Sequence, residues 1–96
     1  LMNNNTLGMV RQWQTLFYGK RYSQTTLGRK TDYVKLAEAF GAKGLTIAGE
    51  ADIAPVLQEA FSCEGPVLVD CRIGIDDKVL PMIPPGKSFD SVITKL

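Results

Sequence analysis

The chain contains no histidine. That removes imidazole as general acid, general base or metal ligand, and with it the usual zinc sites. Cysteine is scarce. Cys63 and Cys71 are the only two, too few for a disulfide framework, and they read as free thiols packed as small apolar groups. No apolar run approaches the ~18 residues that a membrane span needs. The opening residues lack a basic segment followed by an apolar stretch, so no signal peptide is expected and the expected location is cytoplasmic. Charge of one sign is not in excess either. Eleven Lys and Arg stand against ten Asp and Glu, a net of +1. Internal repeats and low-complexity segments are absent.

What remains is enough for one small α/β domain. The 96 residues are 45% hydrophobic, ordinary for a folded chain and against disorder. Charge is uneven along the chain, with residues 1–49 net basic and 50–96 net acidic. Uneven charge on solvated faces explains this more simply than a phosphate-binding surface does.

Leu1-Met2 reads as the end of a strand, and Asn5 or Thr6 as the cap of a helix. Met9, Trp13, Leu16 and Phe17 share one face of that helix, and Gly19 stops it. Residues 20–30 show no periodicity and read as a surface loop. Thr31 is expected to cap a second helix with Tyr33, Leu36, Ala37 and Phe40 inward and Gly41 at its end. A strand at 45–48 follows, then a helix over 51–62 with Ile53, Val56, Leu57, Ala60 and Phe61 inward and Pro55 in its first turn. The unbroken apolar run from Pro66 to Cys71 reads as a strand buried on both faces. From Gly74 onward the prolines predict an irregular tail, with a short helix at 88–94. The alternation predicts a parallel sheet with crossover helices, divided into an α/β part at 1–73 and a tail at 74–96.

Ligands in such sheets bind beyond the carboxyl ends of strands. Asn3-Asn4-Asn5-Thr6 falls there, just before a helix N-terminus with free N–H groups. Asn4 is the first candidate for a ligand, because Mg2+ takes oxygen donors and often only one or two from protein. By itself an asparagine triplet is more often a turn. Gly8 permits close backbone approach. Met9, Val10 and Trp13 read equally as helix-to-core packing.

Two stretches tilt these readings. Residues 1–18, with Leu-Met-Asn-Asn-Asn-Thr-Leu-Gly-Met-Val-Arg-Gln-Trp-Gln at 1–14, and Val79-Leu80-Pro81-Met82-Ile83-Pro84-Pro85-Gly86 resemble the acetolactate (acetohydroxyacid) synthase large subunits. The resemblance implies part of the thiamine diphosphate-binding (pyrophosphate) domain, incomplete at its N-terminal side. The asparagine run would be the second half of the thiamine diphosphate–Mg2+ motif, whose Gly-Asp-Gly half is missing. It implies metal ligation by Asn4 and by the Thr6 carbonyl, with Asn3 supporting the turn. Leu7, Gly8 and Met9 would lie with them against the cofactor. Met9, Val10 and Trp13 would line the substrate pocket, Trp13 favouring 2-ketobutyrate over pyruvate as second substrate. Pro85 stands where the plant enzymes have a serine at the herbicide site.

The implied activity is decarboxylation of pyruvate and transfer of its two-carbon unit to a second pyruvate or 2-ketobutyrate, in branched-chain amino acid synthesis. The activating glutamate, the motif's aspartate and most of the FAD site would lie outside these residues. No catalytic residue is therefore expected within them, and the chain alone is expected to be inactive. Implied partners are the rest of the catalytic subunit, a second copy in a homodimer or higher oligomer, a small regulatory subunit and 2-ketoacid substrates. Pyruvate oxidase and glyoxylate carboligase share the asparagines and form the nearest alternative.

Two readings of other classes stand beside this one. Arg11, Lys20, Arg21, Arg29 and Lys30 surround Trp13, Phe17, Tyr18 and Tyr22, a mixture that can bind single-stranded nucleic acid. Most of these aromatics sit on an apolar helix face and no recognised motif accompanies them, so nucleic acid is not the expected partner. A non-catalytic dimerisation domain that uses an open sheet edge is the other.

Overall fold

A computed structural model describes residues 1–28 and 31–95. Its centre is a parallel sheet. β1 (Met2–Asn3), β2 (Lys43–Ile47) and β3 (Val67–Arg72) lie in the order β1-β3-β2. Cys71 of β3 is level with Met2 of β1 on one side and with Ile47 of β2 on the other. The helices are α1 (Gly8–Phe17), α2 (Tyr33–Ala39) and α3 (Glu50–Ser62). The parallel α/β architecture expected from the alternation is therefore present. Arg29 and Lys30, the last two residues of the expected surface loop, lie outside the described residues.

Local chemistry explains most element boundaries and corrects several expectations. α1 is preceded by Leu7, which offers no side-chain cap. The expected caps act elsewhere. The Thr6 hydroxyl donates to the Thr25 carbonyl at 2.7 Å, and Asn5 turns the chain with φ 52°. α2 is capped by Asp32 rather than Thr31, its carboxylate accepting the Lys35 N–H at 3.1 Å. α3 starts at Glu50 because Asp52 accepts the N–H groups of Ala48 and Gly49 at 3.0 and 3.1 Å. Pro55 consequently lies past the first turn. The missing N–H falls on an exposed stretch where water can serve the freed carbonyl.

Packing between α2 and the sheet is close at one point. A Cβ on Gly44 would come within 2.7 Å of the Val34 carbonyl oxygen and 2.8 Å of its Cα. Glycine there lets the helix settle onto β2. Lys43 and Glu59 pair across β2 and α3.

The core differs most from expectation. Ala37 and Ile47 are the only buried hydrophobic residues among those described. Leu36, Phe40, Ile53, Leu57 and Phe61 were expected inward yet are exposed, Phe40 and Phe61 by more than four-fifths. On α1, Met9, Trp13 and Phe17 are exposed too, and the residue that is fully buried is Gln12, at 1%. β3 is half-buried rather than covered on both faces. The Cα radius of gyration is 17.1 Å, against about 12–13 Å for a compact domain of this length. Periodicity marks apolar faces, and the described residues do not supply the layers that would cover them.

The tail holds a single 3-10 turn at Phe89–Ser91 where a short helix was expected. The rest is irregular with turns at 75–76 and 85–86, and Met82 and Ile93 exchange two backbone hydrogen bonds of 2.9 and 2.8 Å. Cys63 and Cys71 are both free. No helix among the described residues is long and apolar enough to cross a membrane.

Candidate cofactor site

The asparagine turn sits at the carboxyl end of β1 and is built from its own side chains. Asn3 Oδ1 accepts the Asn5 N–H and Asn4 Oδ1 accepts the Thr6 N–H, both at 3.2 Å. Two overlapping side-chain turns of this kind fix a short loop without regular structure. The loop after α1 then locks it from outside. Leu27 N–H donates to the Asn5 carbonyl at 3.0 Å and Leu7 N–H to the Thr25 carbonyl at 2.8 Å. That loop is not wholly on the surface as expected, since Thr25 is 2% exposed.

The geometry suits the Mg2+ and thiamine diphosphate that the resemblance implies. Asn4 Oδ1 takes one long hydrogen bond, and a carboxamide oxygen has a second lone pair. Among the described residues no donor reaches the Thr6 carbonyl. A Cβ on Gly8 would lie 2.8 Å from Asn4 Nδ2, so the absence of a side chain there keeps the Asn4 amide over the start of α1. The Thr25 hydroxyl is buried without a hydrogen-bond partner beside this loop. The described residues contain no group of three or more His, Cys, Asp or Glu able to hold a metal. Two neutral protein oxygens therefore suit a cation that takes its remaining ligands from phosphate, water and a carboxylate supplied elsewhere.

Beyond the turn, α1 carries an open groove of about 620 Å³ lined by Met9, Val10, Trp13, Gln14, Tyr18 and Arg21. The three residues expected to line the substrate pocket thus lie together in one apolar trough. Trp13 meets Phe17 edge-on, with centroids 5.9 Å apart.

The opposite side of α1 holds the tail. Gln12 Nε2 donates to the Val79 carbonyl at 2.9 Å, and the Val79 N–H donates back to Gln12 Oε1 at 2.8 Å. Arg11, one of the basic residues considered for nucleic acid, grips Asp76 of its own tail through Nε at 2.7 Å and Nη2 at 3.2 Å. It also stacks 3.9 Å from the Tyr22 ring centroid. The hydrogen bond to Asp76 raises the Arg11 pKa. In return it lowers the Asp76 carboxyl below its ordinary value, with help from Lys78. Sequence reading missed the roles of Gln12 and Asp76. A polar residue within an apolar helix face was the one available signal for Gln12.

Asp70 was also missed, hidden in what read as an apolar strand. It is 5% exposed and accepts a hydrogen bond from Asn3 Nδ2 at 2.9 Å.

Residues 1–71 match the family described as thiamine pyrophosphate enzyme, C-terminal TPP binding domain. Similar proteins include an acetolactate synthase of Mycobacterium bovis, 47% identical over 96% of this chain and 16% of its own length. The acetolactate synthase large subunit of Pyropia yezoensis is 46% identical over 97% of this chain and 16% of its own. A probable acetolactate synthase large subunit of Methanococcus aeolicus is 42% identical over 97% and 15%. The chain thus spans about a sixth of the length of these relatives.

Proposed function

This chain belongs to the family of C-terminal TPP-binding domains of thiamine pyrophosphate enzymes, and from that premise we propose that it is part of the catalytic subunit of an acetolactate synthase. The proposed reaction joins the two-carbon unit of one pyruvate to a second pyruvate or 2-ketobutyrate, as in branched-chain amino acid synthesis. The carrying observation is the asparagine turn. It holds a carboxamide oxygen and a carbonyl that no donor among the described residues reaches at the end of a parallel strand, and the helix that follows carries an apolar groove.

Thiamine diphosphate supplies the carbanion chemistry when bound. The chain's own residues anchor and shape. Asn4 Oδ1 and the Thr6 carbonyl would hold Mg2+, and Leu7, Gly8 and Met9 would lie against the cofactor. Met9, Val10 and Trp13 form one apolar wall for the incoming 2-ketoacid. No residue here is assigned a proton-transfer role, so the chain in isolation is proposed to be inactive. FAD, the activating carboxylate and the remaining metal ligand would come from the rest of the subunit. The proposed assembly is a homodimer or larger, with a small regulatory subunit as a further partner.

The test uses the full-length subunit that carries this segment. It should form acetolactate from pyruvate only with thiamine diphosphate and Mg2+ present. Asn4→Ala should raise the Mg2+ concentration needed for half-maximal activity by about tenfold, the loss of one charge-assisted ligand contact. Acetyl phosphate formed from pyruvate with phosphate and oxygen supplied, or tartronate semialdehyde formed from glyoxylate, would move the chain to the oxidase or carboligase branch. An Asn4→Ala enzyme with an unchanged Mg2+ requirement would remove the turn from the metal site.

A further inference from the structure

Asp70 is the only carboxylate buried among the described residues. It stands on β3 level with Thr46 of β2, and Asn3 of β1 is level with Arg72, two positions further along β3. Side chains two apart on a strand share a face, so Thr46, Asp70, Arg72 and Asn3 form a polar row across a sheet that should be apolar there. A buried charge persists only when it is hydrogen-bonded or paired. Asp70 has both. One carboxylate oxygen accepts Asn3 Nδ2 at 2.9 Å, and the other lies 3.8 Å from Arg72 Nε.

The destination of that hydrogen bond gives the arrangement its meaning. Asn3 is a two-ended connector. Its Nδ2 is held by Asp70, while its Oδ1 accepts the Asn5 N–H that closes the turn around Asn4. Fixing Nδ2 fixes the amide plane and therefore the direction of Oδ1. Asn5 has φ 52°, a left-handed conformation that needs local support in a non-glycine residue.

We propose that Asp70 is a positioning residue for the cofactor turn: its carboxylate orients Asn3, and Asn3 sets the turn that presents Asn4 Oδ1 and the Thr6 carbonyl. The proposal rests on the reading of that turn as the Mg2+–thiamine diphosphate site. Asp70 touches neither ion nor cofactor, and acts through the geometry of Asn3 alone.

The hydrogen bond needs an acceptor at position 70, not a charge, and this separates positioning from simple core stability. Binding of thiamine diphosphate in excess MgCl2 to the full-length apoenzyme, measured by titration calorimetry, supplies the readout. Asp70→Leu removes the acceptor and should weaken binding about tenfold. Asp70→Asn keeps an acceptor, and the exchange Asn3→Asp with Asp70→Asn restores the bond with donor and acceptor reversed. Both should bind within about threefold of the parent. In turnover assays Asp70→Leu should raise the half-saturating cofactor concentration and leave kcat at saturation unchanged.

If Asp70→Leu does not fold, Asn3→Asp takes its place. It sets two carboxylates face to face and should lose about tenfold, recovered when Asp70→Asn is added. Asp70→Asn alone, which removes the charge and keeps the acceptor, separates the effect of charge from that of geometry. Parent-like binding by the disrupted variant, or Asp70→Asn as weak as Asp70→Leu, overturns the proposal. A parent enzyme that fails to bind thiamine diphosphate overturns the functional reading instead, and the positioning role with it.

Discussion

The carboxamide of Gln12 and the peptide group of Val79 hydrogen-bond in both directions, at 2.9 and 2.8 Å. A side chain on α1 thereby imitates one rung of a β-ladder and ties down a tail 67 residues away in sequence. Gln12 Nε2 also lies 3.3 Å from Met82 Sδ, so one amide grips the tail at two places. Gln12→Ala removes the partner of the Val79 N–H and carbonyl, a cost of about 0.5–1.5 kcal/mol for part-buried hydrogen bonds that water can replace. The expected result is faster amide exchange from 76 to 84 with little change in the sheet. Unaltered exchange at Val79 would show that the tail is held by other means.

Acid should release the same tail. Asp76 is held below its ordinary pKa, chiefly by the hydrogen bond from Arg11. A carboxylate with a lowered folded pKa stabilises the folded arrangement above its unfolded pKa, and that contribution disappears as pH falls through the folded value. Attachment of residues 74–79 should therefore be constant near neutrality and weaken only in the acid range below the usual carboxylate pKa. Exchange or proteolysis of the tail across an acid series reads this directly. Asp76→Asn should be loose at every pH and show no acid step. The pair is half-exposed on the Asp76 side, so the effect is modest and should shrink with added salt.

Gly44→Ala probes the fold rather than the site. A methyl group there must displace the Val34 backbone, which lies within 2.8 Å of it. Backbone cannot swing aside as a flexible side chain can, so the expected cost is about 1–3 kcal/mol. A lower thermal midpoint for the full-length protein is the outcome to look for. Gly49→Ala, with nothing within 4 Å of its Cβ and φ of −158°, should cost far less and serves as the control.

Trp13→Leu tests the groove. In the full-length enzyme the variant should lose preference for 2-ketobutyrate over pyruvate by about tenfold, the value of one methylene against an aromatic wall. Acetolactate formation should persist. An unchanged product ratio would place Trp13 outside the substrate wall, and its edge-on contact with Phe17 would then be packing alone.

Element types were readable from the residues because each carries local punctuation. Gly41 closes α2, apolar spacing marks α3, and the valines of β3 favour a parallel strand. Burial was not readable. Leu36, Phe40 and Phe61 have the spacing of a core face, yet spacing reports which side is apolar and not whether anything lies against it. Caps were misplaced for a related reason. Thr6 looked like a helix cap because threonine often is one, but its hydroxyl is taken by Thr25 from a loop that has no periodic pattern. The roles of Gln12 and Asp70 depend on partners 67 residues distant. Such pairings are invisible to any window along the chain, and both were passed over as exceptions within apolar patterns.

Among the described residues β1 pairs with β3, and the asparagine turn grows directly from it. Whatever else hydrogen-bonds along β1 bears on the turn as well. Linkage then runs both ways: a neighbour that stiffens this edge tightens the grip on any cation held in the turn, and the cation strengthens that neighbour's hold by the same factor. Assembly and ion uptake would be a single thermodynamic event seen from two ends.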